Sequence, residues 1–438
     1  MWFDSIRSSR HTYASNPGNC SVTKAERSWI LYDCANSAQT LIVTTTILPI
    51  FFKSYAAKGM ADEESTFYWG VGNTVAMVFV AIMSPMLGAL ADHRGFKKRL
   101  FVTFLTIGLV ATAALPLVGE GEWLFCLALF GLSTIGFYGA VVFYDSFLVD
   151  VATKDRMDWV SSNGFAWGYF ASTIPYILCM LLITQHQRIG FDSTLAPTRI
   201  AFLITALWWF GLSVPMLLNV RQVHFVPEHA NPIGESLSRL AGTLRNVTKY
   251  RALFGFLIAY FLYIDGVHTI YKMAVAFGLD IGIDQTKLLT ILLVTQIVAF
   301  PCAILFGYLA KFAGAKRMVL VGIGVYFLVT SLAYFIREVW HFWVLAMMIA
   351  FAQGGIQSLS RSMFAKLVPP ENSAQFFGFY DIFGKFATIL GPVMVGGIGW
   401  TTGDTRKGVF SLIVLFALGG LLLIRVDESK TVHSEAAA

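Results

Sequence analysis

The chain has 438 residues, of which 56% are hydrophobic and only 13% charged, and its formal net charge is +6. A soluble chain carries roughly a quarter charged residues, so a water-soluble enzyme or binding domain is excluded and the apolar excess must face lipid. The cysteines Cys20, Cys34, Cys126, Cys179 and Cys302 are scattered with no C-x-x-C or Cys/His metal spacing, and no G-x-x-x-x-G-K-[ST] loop or hydrolytic set is present; no metal, cofactor, ATP drive or enzymatic activity is therefore expected.

Residues 1–28 are polar, with Arg7, Arg10, Lys24 and Arg27 and no apolar run. They read as a cytoplasmic tail rather than a cleavable signal peptide, and the first hydrophobic span serves as an uncleaved membrane signal. Twelve apolar runs follow, near 29–52, 67–91, 100–118, 123–149, 161–184, 199–219, 252–278, 287–310, 318–336, 340–364, 375–399 and 407–425. Each is long enough to cross about 30 Å of hydrocarbon as a helix. With the N-terminus placed in the cytoplasm, 21 Lys and Arg fall on cytoplasmic segments and 8 on the opposite loops. That asymmetry puts both termini inside. It also accounts for the basic balance without nucleic acid.

The longest link, 220–251, carries Ile233, Leu237, Leu240, Leu244 and Val247 at helical spacing, with Arg239 and Arg245 between them. It reads as an amphipathic helix at the inner surface that straps two halves together; a lipid sensor is the alternative. The expected units are a tail (1–28), an N-terminal half (29–219), the linker (220–251), a C-terminal half (252–425) and a second tail (426–438). Both halves hold six helices.

An internal repeat supports that division. Gly88-Ala89-Leu90-Ala91-Asp92-His93-Arg94-Gly95-Phe96-Lys97-Lys98 follows span 2, and Gly307-Tyr308-Leu309-Ala310-Lys311-Phe312-Ala313-Gly314-Ala315-Lys316-Arg317 follows span 8. Gly88 matches Gly307 and Gly95 matches Gly314 at one offset of 219. Gly168 to Ser172 on span 5 answers Gly384 to Thr388 on span 11 at an offset of 216. The first glycine of each loop permits close helix approach and the second a tight turn. Asp92 is suited to a helix N-terminus on the other half, where it would stabilise one closed state; Arg94 is grouped with it.

This loop resembles the major facilitator signature G-x-L-A-D-x-x-G-R-[RK]-[RK], with Phe96 in place of the usual Arg and Lys311 in place of the acid in the second copy. The resemblance implies an all-α polytopic membrane protein, twelve helices in two parallel-repeat six-helix halves. Three further stretches narrow it: Trp29 to Ala38, Phe143 to Asp150 with Val160 to Tyr169, and Gly354 to Ser362 leading through Phe376 to Asp381 and Gly384 to Pro392. Together they look like the autophagy-related vacuolar amino-acid effluxers and their bacterial members. Asp145 stands where that branch usually has Asn. The resemblance implies amino-acid export, in a bacterial cytoplasmic membrane or alternatively a vacuolar one, but family membership does not fix cargo.

Ionisable groups inside spans are functional candidates by default. Here they are Asp33, Asp145, Asp265, His268, Lys272, Arg361, Asp381 and Lys385. Asp145 and Arg361 share the 216 offset, so they are expected to face each other across the pseudo-symmetry axis and pair when the inner gate closes; the alternative is a local partner within each half. Lys385 either binds Asp381 one turn before it or meets a substrate anion. Asp33, Asn36 and Gln39 on span 1 are expected to line the cavity. Asp265 and His268 are spaced for a proton relay or for interior packing. Gln353 and Gln357 offer neutral hydrogen bonds. A zwitterion needs two poles, which Asp33 and either Lys385 or Arg361 would supply.

The expectation is a secondary transporter, monomeric among membrane lipids, that moves a small solute by alternating access, with a proton as possible partner. Export of a drug, siderophore or lipid-like amphiphile is the alternative within transport. A non-transporting scaffold or receptor is the alternative of another class.

Overall fold

The structure is a computed structural model that describes residues 22–227, 232–245, 251–280 and 283–427. Most of both predicted tails, Cys20 and Val247 lie outside the described residues, as do the side chains of Ile233, Leu237, Arg239, Leu244, Arg245 and Lys272. Among the described residues, twelve helices are long and apolar enough to cross a membrane. We number them as spans: 1, Lys24–Ala56; 2, Phe67–Ala91; 3, Phe96–Leu117; 4, Trp123–Val151; 5, Met157–Thr184; 6, Leu195–Asn219; 7, Arg251–Tyr271; 8, Thr290–Ala313; 9, Ala315–Ala333; 10, Val339–Leu367; 11, Pro370–Thr402; 12, Thr405–Arg425.

Span 1 opens with a capping box. Thr23 accepts the Glu26 amide at 3.1 Å, and the Glu26 side chain accepts the Thr23 amide at 2.8 Å. Such a box satisfies two orphan donors of the first turn. Further along, Gln39–Ile47 is wound as a π-helix, with Thr45 and Thr46 hydroxyls donating to the carbonyls of Thr40 and Leu41. Hydrophobic periodicity carries no sign of this widening, in which backbone amides bond carbonyls five residues back.

Span 11 is not the continuous helix that its apolar run predicts. It breaks into Ser373–Phe386 and Leu390–Thr402. Pro392 explains the break: it has no amide for the carbonyl of Thr388, and its ring clashes with that carbonyl. Asp265 of span 7 closes the gap, its two oxygens accepting the Gly391 amide at 3.1 and 3.0 Å. An acid at a helix N-terminus stabilises it by side-chain acceptance and by charge. Asp265→Ala is expected to lower stability by about 1–2 kcal/mol, read as a lower unfolding temperature in detergent; an unchanged temperature would show that the cap contributes nothing.

The four loop glycines fall where the backbone needs them. Gly95 and Gly314 have positive φ, +76° and +85°, at the starts of spans 3 and 9. Gly88 meets the backbone of Ala374 and Gln375 on span 11, and Gly307 meets Ser162 on span 5. After the glycines the offset of 219 sets Lys97 against Lys316, but these two lysines do not make the same contact. Lys98 donates to the Val220 carbonyl at the end of span 6 at 2.8 Å. Lys316 does the same to Ile424 and Val426 at the end of span 12, at 2.9 and 2.6 Å. Lys98, not Lys97, is thus the mate of Lys316, and each closes its own half by capping the carbonyls of that half's last helix.

The linker is tied to the N-terminal half at its start. Gln222 bridges the Gly95 amide and the Ala91 carbonyl, at 2.9 and 3.1 Å. Asp150 accepts the amides of Val223 and His224 at 2.9 and 2.8 Å. The linker helix, Pro232–Arg245, packs beneath span 2, with Ser236 3.2 Å from His93. It reaches the other half at Thr243, which accepts from Gln375 at 2.8 Å.

Candidate functional site

The two halves meet through spans 2 and 11, 5 and 8, and 5 and 10. Small residues make that approach possible. A Cβ on Gly378 of span 11 would lie 2.6 Å from the Ser84 carbonyl oxygen and 2.7 Å from Pro85 Cα on span 2. Ser161 of span 5 donates to the Ser358 carbonyl of span 10 at 2.7 Å, and Ser162 lies 3.1 Å from the Ser358 hydroxyl.

Arg361, buried on span 10, sits at the centre of this seam. Its Nη1 donates to Asp145 Oδ1 of span 4 at 3.0 Å, and its Nη2 donates to Asp33 Oδ2 of span 1 at 2.9 Å. Nε donates to the Ser161 hydroxyl at 2.9 Å and Nη2 to the Ser161 carbonyl at 3.1 Å. The guanidinium lies over three rings, 4.5 Å from Trp29, 4.4 Å from Phe165 and 5.6 Å from Tyr144. Trp29 is held in place by its indole N–H, which donates to the Tyr144 carbonyl at 2.9 Å. Gly164 is required here, because a Cβ would overlap Asp33 Oδ2 and come within 3.1 Å of Arg361 Nη2. A planar fork is suited to two carboxylates at once, which a lysine ammonium does not reproduce.

On the cytoplasmic side of this triad lies a second layer. Asp92, fully buried, accepts the Ala374 and Gln375 amides at the start of span 11, at 2.9 and 3.1 Å. Lys97 joins Asp150 at 2.8 Å and the Ser373 hydroxyl at 2.9 Å. In the C-terminal half no acid follows Gly307. Instead, Asp158 at the start of span 5 accepts from Ser362 at 2.7 Å and Lys366 at 2.6 Å, both on span 10. Both latch acids therefore belong to the N-terminal half, and Lys311 is exposed. Arg94 is exposed and lies 5.5 Å over the Phe225 ring of the linker.

Further along span 11, Lys385 binds Asp381 and lies 4.6 Å over the Tyr138 ring of span 4. Asp381 also accepts from Ser84 of span 2 at 2.7 Å. Gln357 donates to the Tyr169 hydroxyl at 3.3 Å and to the Gln353 carbonyl at 3.3 Å.

Several sequence candidates are occupied elsewhere. Asp33, expected as a cavity pole, is paired with Arg361 inside the gate, so the two cannot serve as separate poles in this conformation. Gln39 is buried and donates to Ser133 at 3.2 Å, which lies 2.8 Å from Thr112; it ties spans 1, 3 and 4 together. Asn36 is buried on the same helix, 3.5 Å from the Ser37 hydroxyl. Asp265 caps the break in span 11, and His268 is half-buried one turn along. Ser161, Asp158, Lys366, Lys97, Asp150 and Ser84 were not among the candidates. One signal was available: Asp150 and Lys366 differ by the same 216 that relates Asp145 to Arg361.

A family model described as vacuole effluxer Atg22 like matches residues 66–158 and 149–436. YxiO, an MFS-type transporter of Bacillus subtilis, is 45% identical over 412 residues, covering 93% of this chain and 96% of its own. Autophagy-related protein 22 of Coccidioides immitis is 23% identical over 458 residues, covering 83% and 73%. Among solved structures, the human organic anion transporter MFSD10 superposes with a TM-score of 0.70 at 14% identity, over 91% of this chain and 99% of its own. The major facilitator transporter FucP, in an outward conformation, gives 0.69 at 12% identity, over 92% and 98%. At these identities the superpositions speak to fold alone.

Proposed function

This chain belongs to the Atg22-like vacuole effluxer family and is a secondary transporter of the major facilitator fold, integral to a membrane, and from that premise we propose that it exports a small zwitterion, an amino acid or close relative. The observation that carries the reading is the Arg361 triad with the Asp381–Lys385 pair beyond it. Buried charges that cross between halves are costly for a scaffold and useful to a protein that must exchange closed states. In this conformation the cytoplasmic end is shut by the triad and the two latches. Opening it removes Arg361 and Lys366 from the carboxylates of the other half. Cargo then enters from the cytoplasm and rises to Lys385, where its carboxylate competes with Asp381. Each chain carries both halves of the path, so a monomer suffices.

Leucine counterflow in proteoliposomes tests this reading. Wild type is expected to exchange labelled leucine, and Lys385→Ala to lose at least about tenfold, the scale of one charged hydrogen bond. The double variant Lys385→Gln with Asp381→Asn, which leaves no unpaired charge, should be equally inactive while remaining folded. Full exchange by either variant would remove Lys385 from the cargo site. Exchange of an amphiphile but not of leucine would replace the cargo class.

A further inference from the structure

At the inner gate one guanidinium serves two carboxylates. The Asp33–Arg361 pair is neutral by itself, and Asp145 adds a second negative charge. Among the described residues no other cation offsets it. Lys385 of span 11 is bound to Asp381, so that pair is neutral too. Lys97 of span 3 is bound to Asp150. Among the described residues, Tyr32 of span 1, Tyr144 of span 4, Tyr260 of span 7 and Tyr380 of span 11 are the remaining titratable groups within electrostatic reach of Asp145, and none is a cation at neutral pH. Ser161 of span 5 completes the surroundings of Arg361 with neutral oxygens. The closed gate with every group ionised thus holds one uncompensated negative charge inside a membrane protein, a charge whose burial costs several kcal/mol.

We propose that Asp145 is a proton-binding site: in the closed inner gate it carries one proton, which it exchanges with water when the halves part. One feature selects Asp145 over Asp33 as the carboxylate that reaches water. Its side chain is 14% exposed against 9% for Asp33. Its Oδ1 accepts from Arg361 Nη1, which leaves Oδ2 to carry the hydrogen. The proton adds to a carboxylate oxygen and leaves from it; no other bond changes. The inference rests on the gate reading above and adds the ion to which the gate's closure is coupled.

Infrared difference spectroscopy on the purified full chain in liposomes, titrated with acid and base, tests it without any cargo. The wild type is expected to show a protonated-carboxyl band that titrates, and Asp145→Asn to lose it. Asp145→Glu should return the band at a shifted frequency, which separates loss of the proton from loss of the fold. Asp33→Asn should lose it as well, because the remaining Arg361–Asp145 pair is neutral, so the site is read from Asp33→Glu, which should leave the band at the wild-type frequency. Absence of any such band in the wild type, or its persistence in Asp145→Asn, overturns the proposal, as would a band displaced by sodium at constant pH. Failure of leucine counterflow would sink the cargo reading and leave this result untouched.

Discussion

Replacing Arg361 by alanine is expected to abolish transport and to part the two halves at their cytoplasmic end. The change leaves Asp33 and Asp145 facing each other without their shared partner. Removing one member of a buried pair costs about 3–5 kcal/mol, which shifts the ratio of closed to open gate by roughly two to four orders of magnitude. It also strips the donor from Ser161 and the cation from the Trp29 and Phe165 rings. Spin labels at Thr153 and Glu371, exposed positions near the cytoplasmic ends of spans 4 and 11, would report the separation. A longer distance in Arg361→Ala than in wild type is the expected result. Arg361→Lys should fall between the two, because one ammonium keeps the charge but not the fork. An unchanged distance in Arg361→Ala would show that the serine contacts and latches close the gate without it.

The second large effect is expected at Gly88. A Cβ there would lie 2.8 Å from the Ala374 carbonyl carbon and 3.1 Å from Gln375 Cα. These are backbone atoms and cannot turn aside as a side chain can. Gly88→Ala is therefore expected to cost about 1–3 kcal/mol, and Gly88→Val more, all of it in the state where spans 2 and 11 touch. Asp92 would lose its reach to the Ala374 and Gln375 amides at the same time. The same pair of labels should show an open cytoplasmic end and flux should stop. Retained flux in Gly88→Val would mean that the seam has slack. Gly307→Ala should be milder, because its nearest neighbour is the Ser162 side chain rather than a main chain.

The fold was legible because it follows from the most robust signals in the chain: the length of apolar runs, the distribution of Lys and Arg, and a repeated loop. Asp92 was legible for a related reason, since an acid after a Gly-containing turn has few places to go but a helix N-terminus. The Arg361 triad was only half legible. A shared offset relates Asp145 to Arg361, because duplication preserves register. Nothing of that kind relates Arg361 to Asp33, 328 residues away. Asp265 and Gln39 misled because burial and spacing look alike for a cavity wall and a helix contact. What separates them is the neighbour: the broken start of Leu390–Thr402 for one and Ser133 for the other. The exchange of Lys97 for Lys98 came from a single residue of slippage after the turn, below the resolution of an eleven-residue match.

The long reach of these pairs also sets a problem for biosynthesis. Lys98 closes the N-terminal half on Val220, so that half is complete before span 7 is made. Asp33 and Asp145 must nevertheless wait 328 and 216 residues for Arg361 to arrive. Asp92 and Asp158 wait in the same way for spans 10 and 11. During translation the nascent N-terminal half therefore presents four carboxylates that have no partner in the other half yet. It must keep them hydrated or protonated beside the insertion machinery until the C-terminal half docks. Ribosome-stalled intermediates that end before Arg361 should for that reason be the ones most readily captured by quality control.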